Sequence, residues 1–376
     1  MRKLFLVASL FLAISISSQS FIQAYQNRVN TVSQANINTY LTEFASYGVK
    51  TTGSTANANA LAWLKNKYTS FGYITSEIVE DPFSVGSTNS KNLVVTKTGT
   101  TYPNTFVIIC GHFDTIAGPG VNDNGSGVST ILEIARILKN VPTEYSIKFI
   151  NFSGEEQGLN GSQHFVSNVV NATNPKMDIK VVFNIDQAGG RAGQTNNTIV
   201  CESDQTNSPS TNNAASLTKT QELANCVALY STLQTVFGPA YSSDYMPFQS
   251  NNEIITGFYE DNVSTFPHTA NDTYANMDPV FVFNVAKAAV GAAQHFASAS
   301  SVVLGTDEIS GTISSDDISI SPNPAKDFIN IKINNLNYTK FSLVITDAAG
   351  RTVLKSENEA RVNVSSLSAG VYFGTF

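Results

Sequence analysis

The chain has 376 residues, of which 42% are hydrophobic and only 14% charged, and it carries a formal net charge of −7. That length suffices for one large core and a small second domain. With so few charges, the polar surface must come mostly from Asn, Ser, Thr and Gln, which suits an exported protein. No basic stripe is visible, so nucleic acid is excluded as a partner.

At the start, Arg2 and Lys3 precede an apolar run from Leu4 to about Ile16, followed by small and polar residues. This reads as a secretory signal peptide, residues 1–24, with cleavage after Ser20 or Ala24 and Ala24 preferred. The run is too short to cross a bilayer and no other segment is long enough, so no stable membrane span is expected. Three cysteines, Cys110, Cys201 and Cys226, leave at least one thiol unpaired. Cys110 reads as a buried thiol; whether Cys201 and Cys226 pair is open. None lies in surroundings that would activate a nucleophile.

Ile37, Tyr40, Leu41 and Phe44 recur at helical spacing, and Leu61, Leu64, Tyr68 and Phe71 mark a second helix. ITSEIVE and NLVVTK read as a hairpin or neighbouring strands, and FVIIC (106–110) as the first central strand. Helices then alternate with strands: helix 125–140, strand 146–152, helix 158–170, strand 180–186, a polar loop, helix 214–236, strand 253–260 and helix 279–298. Continuous apolar strands in such alternation predict an α/β fold with a mainly parallel central sheet and helices on both faces. The domain so defined spans 25–298. Residues 299–316 are small, polar and aperiodic, and read as a linker. From 317 to 376 short alternating segments are punctuated by turn residues, the pattern of a small all-β sandwich.

The organising stretch is CGHFDTIAGPGVNDNGSG (110–127), the crossover from FVII into a helix. Ligands of open parallel sheets gather at that carboxyl edge. It supplies His112, Asp114 and Asp123; the next strand ends in Glu155 and Glu156; the third ends in Asp186; and the loop TFPHTANDTY supplies His268. Each residue alone has a bland explanation, as helix cap, solvated face or structural histidine. Four such events at successive strand ends describe a metal site. Two His, two Asp and one Glu suit zinc, or cobalt or manganese. They are too many for one tetrahedral ion and enough for two if a carboxylate bridges, with metals ~3.5–4 Å apart. Asp114, two residues beyond His112, points the same way in an extended segment and can accept the imidazole's other N–H. Glu155 is left to hold a bridging water and take its proton. His164 and His295 read as packing or surface residues.

The set HFD, PGVNDNGSG, GEEQGLNGS, NIDQAG and HTANDT resembles the dizinc aminopeptidases of the bacterial leucyl aminopeptidase and glutaminyl cyclase family, peptidase family twenty-eight. The resemblance covers about 90–298, and more loosely 30–90, and implies the zinc-exopeptidase, phosphorylase/hydrolase-like fold. By it, Asp123 bridges two Zn2+, His112 and Asp186 complete one, Glu156 and His268 the other, and Glu155 is the general base. It also implies a cis peptide between Asp123 and Asn124. The function implied is a metal-dependent aminopeptidase: a water activated by two zinc ions hydrolyses the bond after the N-terminal residue of a peptide or protein. A tyrosine often stabilises the oxyanion in this family. Here PAYSSDYMPF stands where many relatives have Ser-Asp-His, leaving Tyr241 and Tyr245 as candidates. The alternatives are a glutaminyl-peptide cyclotransferase on the same fold, or a non-enzymatic binding ectodomain. Cyclases of this kind usually carry pocket tryptophans, whereas this chain has one, Trp63. The ectodomain reading predicts a lost ligand or base, and none is missing. The segments SPNPAKDFINIKI, DAAGRTVL and VNVSSLSAGVY resemble the sorting domain of type IX secretion cargo, implying that machinery as a partner. Together with the signal peptide, this implies export across the outer membrane to a secreted or cell-surface location.

Overall fold

The structure is a computed structural model that describes residues 19–172, 174–301, 318–333, 342–347 and 351–375. The apolar run of the expected signal peptide and most of the expected linker lie outside the described residues. The chain divides into two compact units, Met1–Val303 and Leu304–Phe376.

The first unit opens with helices α1 (Gln23–Val29), α2 (Gln34–Ser46) and α3 (Thr55–Ser70). The side chains of Ser33 and Ser54 cap α2 and α3, accepting the backbone N–H of Asn36 and Asn57. Strands β1 (Ile78–Val85) and β2 (Thr88–Lys97) form the expected hairpin. Then follow β3 (Tyr102–His112), α4 (Gly125–Leu138), β4 (Tyr145–Phe152), α5 (Asn160–Phe165), β5 (Asp178–Ile185), β6 (Thr198–Ser203), α6 (Asn213–Tyr230), β7 (Gln234–Pro239), α7 (Met246–Ser250), β8 (Ile255–Glu260) and α8 (Pro279–Phe296). All eight strands join one sheet in the order β1-β2-β4-β3-β5-β8-β6-β7.

The four central strands β4, β3, β5 and β8 are mutually parallel, whereas β2 joins β4, and β6 joins β8, antiparallel. The sheet is thus parallel at its centre and mixed overall. Successive residues of β3 face opposite sides: Val107 and Ile109 enter the core shared with α4 and α8, Ile108 and Cys110 the core shared with Phe165 and Phe248. Both faces are covered by helices, which is why these strands are apolar throughout.

Two elements differ from expectation. The helix read as 214–236 ends at Tyr230, and residues 234–239 are strand β7. Leu229, Leu233 and Val236 prolong a helical spacing, but Ser231 is already extended, and Thr232, Thr235, Val236 and Phe237 favour a pleated strand. Strand β6 was hidden among polar residues. The three cysteines are free and buried, so Cys201 and Cys226 do not pair. Helix α1 buries Ala24, the preferred cleavage position; a cut after Ser20 would leave the helix whole.

The described residues of the second unit, taken by themselves, form two three-stranded antiparallel sheets. One is formed by β9 (Ile318–Ser321), β10 (Phe328–Ile333) and β13 (Arg361–Asn363), the other by β11 (Ser342–Asp347), β12 (Thr352–Glu357) and β14 (Tyr372–Thr375). Ile329, Ile331, Leu343, Ile345, Val362 and Val364 make its core. This is the expected all-β region. Among the described residues no helix is long and apolar enough to cross a membrane.

His164 packs near the Phe83 ring with its Nε2 3.3 Å from Asp81. His295, on α8, meets the Tyr230 hydroxyl at 2.9 Å and the edge of the Tyr25 ring. Burial pushes the His295 imidazole down from 6.5 to about 4. Between those values the unfolded chain binds a proton that the folded one refuses, so stability rises with pH across that window. We therefore expect His295→Gln to lose less of its urea midpoint than the parent protein does as pH drops from 6.5 towards 4. An equal slope in that variant would remove His295 as the cause.

Candidate metal centre and active site

Because β4, β3, β5 and β8 are parallel neighbours, their carboxyl ends form one row. His112 is the last residue of β3, Asp186 follows β5, Glu155 and Glu156 follow β4, and His268 lies in the loop after β8. Asp123 comes from the turn between β3 and α4. Gly120 allows that turn: its φ is +60°, and a Cβ there would stand 2.3 Å from the Asp123 carbonyl oxygen. Asn124 caps α4 by accepting from the Gly127 N–H, and its own amide donates to the Ile185 carbonyl at 2.9 Å. The Asp123–Asn124 peptide is cis, as the resemblance implies.

The structure brings all five expected ligands together. His112, Asp123 and Asp186 each offer a donor atom within 4.8 Å of the others, as do Asp123, Glu156 and His268. Asp123 belongs to both groups. Its Oδ1 lies 3.2 Å from His112 Nε2 and its Oδ2 3.1 Å from His268 Nε2. His112 Nε2 is also 3.3 Å from Asp186 Oδ1, and His268 Nε2 2.9 Å from Glu156 Oε2. Two mixed nitrogen–oxygen clusters sharing a carboxylate fit a pair of zinc-like cations.

Electrostatics support that fit. Burial pushes the Glu155 carboxyl up to about 10, with Asp186, Asp244 and Asp114 adding and His112 opposing. Burial likewise lifts Glu156 to about 8. Burial disfavours charge on His112, yet Asp186 and Glu155 carry its imidazole well above the usual range. The bond to Asp123 raises His268 to about 9. Burial would raise Asp123 too, but its bonds to His112 and His268 bring it down to about 2. Asp123 apart, these groups hold protons in places where cations would replace them.

Asp114 acts differently from expectation. The His112 Nδ1 faces its backbone carbonyl at 3.1 Å, while the carboxylate is 3.8 Å away. The carboxylate accepts the N–H of Glu155 at 3.2 Å and of Glu156 at 3.3 Å, and the Thr52 hydroxyl at 3.3 Å. One residue thereby fixes both the imidazole and the glutamate pair. The alternation of side chains along an extended segment could not show that the Glu-Glu turn would claim this carboxylate first.

The two tyrosines part company. Tyr245 is fully buried and its hydroxyl meets the Tyr241 backbone N–H at 3.0 Å, so it cannot reach a substrate. Tyr241 is 58% exposed. Sequence reading missed Ser243, whose hydroxyl donates to Asp186 at 2.6 Å, and Asp272, which accepts the N–H groups of Asn122 and Asp123 at 2.8 and 3.0 Å. Asp272 belongs to the HTANDT motif and Ser243 to PAYSSDYMPF, so both were in view without a role.

Residues 92–293 match the model of Peptidase family M28, which is more than half of the chain. The chain belongs to peptidase family M28. Residues 319–376 match the secretion system C-terminal sorting domain, which implies handling by a secretion system. Among curated relatives, an aminopeptidase of Bacillus subtilis is 43% identical over 84 residues, 22% of this chain and 18% of that protein. A probable zinc metalloprotease of Pyrenophora teres is 27% identical over 190 residues, 44% of this chain and 39% of that one. The chain thus spans well under half the length of these relatives. LapA of Legionella pneumophila shares the fold at a TM-score of 0.64 and 23% identity, covering 73% of this chain and 76% of that one. A Fimbriiglobus ruber glutaminyl cyclase does so at 0.59 and 15%, covering 70% and 95%. M28 membership implies zinc, consistent with the donor set.

A pH dependence follows for this M28 centre. Glu155 and Glu156 keep protons when folded that they lose when unfolded, so they stabilise the metal-free chain below about pH 4.5 and lose that effect as pH rises towards 8 and beyond. We expect chelator-stripped protein to lose stability from pH 5 to 8, and zinc to abolish the loss while releasing protons. Calorimetry in buffers of differing ionisation enthalpy would detect the release; none would contradict this picture.

Proposed function

We propose that the chain is a zinc-dependent aminopeptidase that removes the N-terminal residue from peptides. The observation that carries this reading is the Asp123 carboxylate lying between two imidazole–carboxylate clusters, with Glu155 beside them. In this reading His112 and Asp186 hold one Zn2+, Glu156 and His268 the other, and Asp123 both. Such ions would polarise the scissile carbonyl and lower the pKa of the attacking water. Glu155, held by its N–H on Asp114, takes the proton from that water and passes it to the leaving amine. Asp114 keeps His112 and Glu155 in register. In this reading the exposed Tyr241, rather than the buried Tyr245, would donate to the oxyanion.

Trp63 is buried, packed on Phe44 and Tyr47 and bonded to Glu43, so it lines no substrate pocket. That favours the peptidase over a glutaminyl cyclase. The substrate partners are peptide or protein N-termini. Residues 1–24 are read as a signal peptide, 25–298 as the peptidase domain, 299–316 as a linker and 317–376 as cargo signal for the type IX machinery. The product would be secreted or displayed at the cell surface.

Purified protein should hydrolyse aminoacyl-p-nitroanilides, lose activity to a chelator and recover it with zinc. Glu155→Gln should cut turnover by about 10²–10⁴-fold, the usual contribution of a general base, while metal content stays unchanged. Full activity in that variant would remove Glu155 from its role.

A further inference from the structure

Gln187 directly follows Asp186 and has a φ of +43°, a left-handed conformation that an unbranched non-glycine residue adopts at a cost. The backbone on either side is fixed to β8: the Asp186 N–H donates to the Phe258 carbonyl at 3.2 Å, and the Glu260 N–H to the Gln187 carbonyl at 2.9 Å. The Gln187 side chain bonds back to the turn before α4. Its Nε2 donates to Asp123 Oδ2 at 3.1 Å, and its Oε1 accepts from the Tyr259 hydroxyl at 3.2 Å. Because an ionised carboxylate only accepts, the amide nitrogen must face Asp123, which leaves its oxygen for Tyr259. Burial pushes the Tyr259 hydroxyl up, so it stays protonated and able to donate.

This relay touches one oxygen of the shared carboxylate. Oδ1 faces the buried His112, whereas Oδ2 faces His268, whose side chain is 53% exposed. In the Glu156–His268 half the Glu156 side chain is buried, so it is His268 that has little packing to hold its donor in place. Resting on the two-cation reading above, we infer that Gln187, braced by Tyr259, is a positioning residue that fixes Asp123 Oδ2 and selectively sets the affinity of the cation position formed with Glu156 and His268.

The test is titration of cobalt(II) into the chelator-stripped full chain, followed by visible absorption and calorimetry. Gln187→Met keeps length and an unbranched Cβ, hence the same backbone cost, but loses the donor. It should weaken one of the two binding steps by about 10–100-fold, the usual effect of removing a ligand's hydrogen-bond partner, and alter that ion's spectrum. The other step should stay unchanged. Tyr259→Phe should weaken the same step to a smaller degree, with the thermal midpoint of the loaded protein recorded for both variants. Two ions in the parent protein with both steps unchanged in Gln187→Met, or both weakened equally, would overturn this inference alone. One ion in the parent protein would overturn the two-cation reading as well.

Discussion

A carboxylate buried between two imidazoles is the constraint on which the centre rests. Burying a charge costs several kcal/mol unless partners compensate it. Asp123 is buried, yet its bonds to His112 and His268 hold its carboxyl at about 2. The turn that carries it is fixed on every side. Asp272 accepts two successive backbone N–H groups, and Glu260 accepts the Asn122 amide at 3.0 and 2.9 Å and the Gly190 N–H at 2.7 Å. Asn124 ties the turn to the end of β5. None of these partners needs to touch a cation. Each removes a freedom that would let the shared carboxylate rotate away from one half of the centre.

The sheet order explains why donors so far apart in sequence meet. β4, β3, β5 and β8 are consecutive in the sheet, and they deliver the glutamate pair, His112, Asp186 and His268 respectively. Neighbouring strands lie ~4.8 Å apart, so a row of four ends spans the width of a small centre. The antiparallel strands at the flanks extend the sheet without adding a donor. The antiparallel pairings at the flanks therefore leave the chemistry untouched, since they begin beyond the strands that carry it.

What was legible in the sequence was whatever local residue types determine. The central strands were readable as apolar runs because both their faces are buried, and the donors because charged residues at the ends of such runs are few. β7 was not, because Leu229, Leu233 and Val236 keep a helical spacing past the real end of α6. Tyr245 and Tyr241 look alike in sequence, and only tertiary packing sends one into the core. Gln187 and Ser243 escaped notice for a related reason: uncharged polar residues are abundant in this chain, and their roles depend on a neighbour 57 to 64 positions away. The position of the Asp114 carboxylate likewise depends on the Glu-Glu turn, which no local rule could place.

The match to family M28 begins at residue 92, yet the centre depends on residues before it. Thr52 donates to the Asp114 carboxylate. Lys50 is fully buried, and its ammonium donates to the carbonyls of Gly48 at 2.8 Å and Pro119 at 2.6 Å and lies 3.8 Å from the centre of the Phe44 ring. Its backbone N–H donates to the Thr115 hydroxyl at 2.8 Å, and its carbonyl accepts the Thr115 N–H at 3.3 Å. Phe44 in turn packs so closely on Gly125 that a Cβ there would meet its ring at 2.9 Å. The end of α2 and the segment after it therefore grip the loop from Asp114 to Asp123 at both ends. A peptidase domain cut at the family boundary would keep every ligand and lose the clamp that aims them.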